Sequence, residues 1–176
     1  MFKKLFAVSA LIFLVTGCAS MGSLEEKEQK YGKSIPVINQ SFASPQIRPG
    51  ETWKIYLKAS DPDGDMKSLY ATVFQHGKGT YPLSTTGIKE GDGKDLSGYF
   101  YLNTGNEHAM QFVNLILTVQ IQDKAGHFSK PLDFPVVFNA GSTQQSPPPG
   151  VFQEKDLGPI MVTIRPSDDG DHGRRP

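Results

Sequence analysis

The chain has 176 residues, with 18 basic and 18 acidic side chains and a formal net charge of zero. That balance lacks the basic surplus that a phosphate backbone demands, so nucleic acid is not an expected partner. Its one cysteine, Cys18, excludes a disulfide within the chain, and the fold must rest on an apolar core.

The first element is a leader. Lys3 and Lys4 precede a mostly apolar run at residues 5–15. A helix crossing a ~30 Å hydrocarbon layer needs about 20 such residues, so this run is too short to span. It has the shape of a secretory signal, which is removed and belongs to no fold. The run ends in Val15-Thr16-Gly17-Cys18. An aliphatic residue, two small ones and a cysteine resemble the lipobox of bacterial lipoproteins. The resemblance implies a diacylglyceryl group on the Cys18 sulfur, cleavage after Gly17, and a fatty chain such as palmitate on the new amino group. One acyl chain holds a protein at a membrane only marginally, at about 0.8 kcal/mol per buried methylene; two or three hold it firmly. Ala19 and Ser20 follow, without the aspartate that resembles an inner-membrane retention mark. The resemblance therefore implies the outer membrane as destination, with the lipid as the membrane contact.

Removal of residues 1–17 takes Lys3 and Lys4 away and leaves two more acidic than basic side chains. Residues 18–35 are polar and charged. Ser23 with Glu26 has the spacing of a helix capping box, but with so few apolar neighbours the segment is expected to be a flexible tether.

At residue 36 the pattern changes to period two, and residues 36–140 are expected to form one domain. Trp53, Ile55, Leu57 and Ala59 alternate with polar neighbours, as in a half-buried strand. Leu69, Ala71 and Val73 alternate with Tyr70, Thr72 and Phe74, apolar on both faces and so a central strand. The clearest strand carries Val113, Leu115, Leu117, Val119 and Ile121. Weaker strands are read at 37–42, 80–85, 98–102 and 132–138. In the last, Pro131 and Pro135 remove ladder donors and place it at an edge or interrupt it. Gly-, Pro- and Asp-rich turns separate these runs. Short alternating strands with frequent turns and no helical period predict an all-β antiparallel sandwich of about seven strands. Residues 141–157 read as a Pro/Ser/Gln-rich linker. Residues 158–165 read as one more strand, able to pair with an open sheet edge of this domain or of a partner. Residues 166–176 are a polar tail.

Two stretches carry a second resemblance, KASDPDGDMKSL at 58–69 and VQIQDKAGHFSKPLDFPVVF at 119–138. Together they resemble bacterial immunoglobulin-like modules of the cadherin or PKD kind. In those, the first stretch joins the second and third strands and the second forms the last hairpin. The resemblance implies an Ig-like sandwich over about residues 36–140, without the cysteine pair of antibody domains.

The sharpest chemical cluster is Asp61, Asp63 and Asp65. Calcium takes six to eight oxygens, and an EF-hand loop needs Gly at its sixth position and an acid at its twelfth. Counted from Asp61 these positions are Met66 and Thr72, so the EF-hand reading fails. Two readings stand: a cadherin-like calcium site that borrows Asp123 or Glu107, or a turn whose carboxylates accept nearby backbone N–H groups. The turn is the expectation, with no response of the melting temperature to millimolar calcium. The calcium reading expects a rise of several degrees that Asp63→Ala abolishes.

His76, His108, His127 and His172 have no zinc spacing, and no Gly-x-Ser-x-Gly elbow or phosphate loop is present. With Cys18 consumed by lipid there is no thiol nucleophile, and no catalytic residue is expected. Tyr56, Tyr70, Tyr99 and Tyr101, if exposed together, would make an aromatic patch for peptide or glycan. The functional expectation is a lipid-anchored envelope protein acting by non-covalent binding or as a structural accessory, with calcium-dependent adhesion as the alternative and an enzyme-associated subunit as a third class.

Overall fold

The computed structural model describes residues 22–105 and 110–166. The leader, Cys18, Glu107, His108, His172 and all but the first residue of the polar tail fall outside them. One helix, α1 (Leu24–Tyr31), precedes ten strands: β1 (Val37–Ala43), β2 (Gln46–Ile47), β3 (Thr52–Ser60), β4 (Met66–Gln75), β5 (Gly79–Thr80), β6 (Ser84–Gly87), β7 (Asp95–Asn103), β8 (Asn114–Asp123), β9 (Leu132–Phe138) and β10 (Asp156–Pro159). They form two sheets, one in the order β1-β3-β7-β10 and the other β2-β9-β8-β4-β5, with β6 also on β4. This is an all-β, Ig-like sandwich of two sheets. No described helix is long and apolar enough to cross a membrane.

The alternation read from the sequence points inward as it must. Trp53, Ile55, Leu57 and Ala59 from β3 meet Leu115, Leu117, Val119 and Ile121 from β8, with Leu69, Ala71 and Val73, Phe100 and Leu102, and Phe134, Val136 and Phe138 around them. The first strand splits between the sheets. β1 pairs with β3, and after Ser44 and Pro45 the chain crosses and β2 runs parallel to β9. The buried Trp53 indole N–H donates to the Ser44 carbonyl at 2.9 Å, which pins the crossing.

The prolines of β9 are accommodated in a specific way. β8 pairs with one side of β9 throughout, while β2 meets the other side only at Val137 and Phe138. The Val137 N–H points to the β2 side, where it reaches the Pro45 carbonyl. N–H directions repeat every second residue along a strand, so the donor missing at Pro135 would have pointed to the same side, where no strand lies. The strand is neither a pure edge nor interrupted; proline occupies its open stretch.

Several segments differ from the sequence expectation. The 80–85 strand is two short pieces, β5 and β6, both on β4. The tether is not free over residues 23–34. Ser23 Oγ accepts from Glu26 N, and Glu26 Oε2 accepts from Ser23 N, so the capping box closes and α1 forms. Ser34 N then donates to Asp63. The 141–157 linker is a strap. It is held by Gln145 N on Ser44 Oγ, Gln153 N on Ser97 Oγ, and Tyr99 N on the Lys155 carbonyl. A Cβ on Gly98 would collide with that carbonyl, so only glycine lets the strap approach β7 this closely.

The extra strand begins earlier than the alternation at 158–165 suggested. Asp156–Pro159 adds to β7 of its own domain, in parallel. Residues 160–165 then cross to the second sheet, where Met161 N donates to Ser84 Oγ, Arg165 N to the Tyr81 hydroxyl, and Gln75 Nε2 to the Arg165 carbonyl. Ile160 and Ile164 are buried in the core. The seam between β7 of the first sheet and β6 of the second is thus closed by the chain's own C-terminal segment.

Candidate functional site

The connection from β3 to β4, the loop before β7 and the β8–β9 hairpin meet at one end of the sandwich. Asp61 N donates to the Lys94 carbonyl and Met66 N to the Gly93 carbonyl, which joins the first two. The register Met66↔Asp123 joins the first and third, because it carries the residue before β4, Asp65, to the end of β8. Lys124 N donates to both the carbonyl and the Oδ2 of Asp65. Asp61, Asp65 and Asp123 are buried at 1%, 6% and 1% exposure, and each offers an oxygen within 4.8 Å of the others.

The three carboxylates are unequally satisfied. Asp123 is well supplied: its Oδ1 accepts from Gly126 N at 2.6 Å and His127 N at 2.8 Å, and its Oδ2 meets His127 Nδ1 at 2.8 Å. Asp65 has the Lys124 amide. Asp61 has one donor, Asp63 N on its Oδ1 at 3.1 Å, and its Oδ2 has none. Burial is the largest cause raising the Asp61 pKa, to about 6, and the neighbouring Asp65 and Asp123 carboxylates add to it against the Asp63 amide. Asp63 itself is not in the cluster. It is exposed and turned outward, accepting from Ser34 N at 2.7 Å. Asp63→Ala is therefore the wrong probe for a cation at this pole.

His127 links this pole to α1. Its Nε2 lies 3.1 Å from Glu28 Oε1 while Nδ1 faces Asp123, so both ring nitrogens meet a carboxylate. Its pKa is raised, first by the Glu28 hydrogen bond and then, against burial, by Asp123. The partners of His127 are carboxylates and not other histidines, so spacing among histidines does not reveal this site. The i, i+4 spacing of Asp123 and His127 around Gly126 was the available signal. Glu28 gave none, because its distance along the chain is 99 residues.

The four tyrosines do not form one patch. Tyr56, Tyr99 and Tyr101 lie together on the outer face of the first sheet, with ring centres of Tyr56 and Tyr99 at 5.5 Å and of Tyr99 and Tyr101 at 6.4 Å. Tyr70 lies on the second sheet, packed edge-on to Phe128 and bonded to Gln122. The first group is only partly open, with Tyr99 and Tyr101 half-buried and Tyr56 covered by the strap: Phe152 packs on Tyr56, and Glu154 accepts from the Tyr56 hydroxyl at 2.9 Å and pairs with Lys54 at 3.2 Å. Lys54 Nζ sits 4.0 Å from the centre of the Tyr99 ring. Tyr56 is only 5% exposed.

No known family model matches the chain, and no curated protein resembles it closely enough to count as a match. Among solved structures, the PKD domain of an M14-like peptidase from a Thermoplasmatales archaeon is similar at 14% identity and a TM-score of 0.37, over 61% of this chain and 97% of that domain. The CARDB domain of a Pyrococcus furiosus protein, solved in complex with di-metal ions, is similar at 9% identity and a TM-score of 0.33, over 60% of this chain and 87% of that one. At these values neither neighbour assigns a site or an activity, and the reading of this chain rests on its own residues.

Proposed function

We propose that the chain is a lipid-anchored protein of the cell envelope, held at the outer membrane through Cys18, whose sandwich acts by non-covalent binding or as a structural accessory and not by catalysis. The observation that carries this reading is the register of Lys3 and Lys4, the apolar run at 5–15 and Val15-Thr16-Gly17-Cys18 directly ahead of a separately folded Ig-like unit. Among the described residues the core runs from Ile47 to Ile164, downstream of the leader, which suits a module displayed at a membrane. Adhesion through a shared calcium ion is the weaker reading. Asp61, Asp65 and Asp123 are all buried, so an ion held by them would not be presented to a second protein.

Expression of the full chain in a lipoprotein-processing bacterium tests the anchor. The mature polypeptide is expected to begin at Cys18, to carry diacylglyceryl plus one further acyl mass, and to partition into detergent, and Cys18→Ser is expected to stay unacylated with its leader attached. An unmodified thiol at a mature terminus, or a leader-bearing wild-type chain in the cytosol, would end the reading.

A further inference from the structure

Three buried carboxylates within 4.8 Å of one another are an electrostatic problem that the fold leaves partly unsolved. A buried ionised carboxylate requires donors or a counter-charge. Asp123 has three donors and Asp65 has one. Asp61 is 1% exposed, its Oδ1 accepts from a single amide, and its Oδ2 has no donor at all. It is the one buried side-chain polar atom without a partner among the described residues. Buried polar atoms are rarely left in this state unless something fills the gap.

We propose that Asp61, Asp65 and Asp123 form a structural site for one hard divalent cation, of the calcium class, that ties together the loops at this end of the sandwich. The donor set decides the class: three carboxylates with no sulfur and no ligating nitrogen suit Ca2+ or Mg2+ and disfavour zinc or copper. A closed pole favours Ca2+, which gives up its water more readily than Mg2+ and accepts irregular oxygen geometry. His127 supplies the outer support expected at such a site. It holds Asp123 in place through Nδ1 and passes the constraint to Glu28 on α1 through Nε2. The ion would thus fix the β3–β4 connection, the β8–β9 hairpin and, through His127, the segment that leads back to Cys18. The site stands independently of the lipid anchor, since none of its residues belongs to the leader.

The test uses the full chain, stripped with chelator and then titrated with calcium chloride, and in parallel with sodium chloride at matched ionic strength. Calcium in excess of about 100-fold over its dissociation constant is expected to raise the melting temperature by several degrees. Native mass spectrometry is expected to show one bound ion per chain. Asp61→Asn keeps the acceptor for the Asp63 amide and removes one ligand charge, so it is expected to fold and to lose both responses. The wild-type titration alone can overturn the proposal: an unchanged melting temperature with no bound ion would mean that the carboxyls share a proton instead. A rise that sodium chloride reproduces, or that Asp61→Asn retains in full, would overturn it as well.

Discussion

The acidic pole and the aromatic face are the two regions whose residue types looked functional, and they resolve in opposite ways. On the aromatic face the chain answers itself. Glu154 takes both the Tyr56 hydroxyl and the Lys54 ammonium, Phe152 covers the Tyr56 ring, and Gln144 accepts from Lys54 N and donates to the Thr52 carbonyl. At the acidic pole the chain gathers charge and stops short of neutralising it, with Asp61 Oδ2 unmet. Similar suggestive residue types thus end, at one place, in a surface met by the chain's own strap and, at the other, in a buried carboxylate oxygen that no donor meets.

The largest effect should come from the segment that continues the aromatic cover into the core. Removing residues 150–176 exposes Tyr56 and Tyr99, deletes β10, and takes the buried Ile160 and Ile164 out of the core. It also leaves Gln75 Nε2 without the Arg165 carbonyl. Emptying a site of one such aliphatic side chain costs about 2–5 kcal/mol, so the loss of both should drive the urea midpoint down sharply or abolish cooperative unfolding. A truncated chain with the full-length midpoint would show that the strap is only draped on the domain, and the contrast between the two regions would collapse.

Next in size is the charge at the pole. Asp61 has its pKa raised to about 6, so the folded state holds that proton more tightly than the unfolded chain does. The corresponding stability is fully present below the ordinary aspartate range near pH 4 and is lost as pH rises through about 6. In chelator, wild-type protein should therefore lose on the order of 1–3 kcal/mol over that window. Asp61→Asn should flatten the profile, and at pH 7 without metal it should be the more stable protein. A wild-type profile that rises between pH 4 and 6, followed by chemical denaturation, would mean that Asp61 is stabilised as an anion by donors already present.

How much of this could be read in advance follows from the reach of each signal. Alternation is local, and it placed β3, β4 and β8 with their inward residues, because burying one face of a strand is a condition each strand must satisfy alone. The DPDGD turn and the Asp-x-Ala-Gly hairpin were legible for the same reason. Which aspartates would meet was not. Asp61 and Asp65 turn inward while Asp63 turns out to Ser34, and that choice depends on the register Met66↔Asp123 between two strands of one sheet that lie far apart in the chain. The strap escaped for a related reason. Residues 141–157 have the composition of a linker, and their place is set by single anchors, Gln144 and Gln145, Phe152 and Glu154, that leave no periodic trace. α1 was visible as a capping box, but its docking through Glu28 and His127 was not.

The smallest expected effect probes the aromatic face by a change of charge alone. Glu154→Gln keeps an acceptor for the Tyr56 hydroxyl and removes the countercharge of Lys54, which is 3.2 Å away on a side chain 37% exposed. Exposed pairs of this kind contribute about 0–1 kcal/mol. The stability change should fall within that range and shrink further in high salt, with Tyr56 still covered by Phe152. A loss well above it, insensitive to salt, would mean that Glu154 holds the strap by charge and not by packing. The aromatic face would then depend on charge compensation of the buried type, and its contrast with the acidic pole, where Asp61 Oδ2 meets no donor, would narrow to which charges find a partner within the chain.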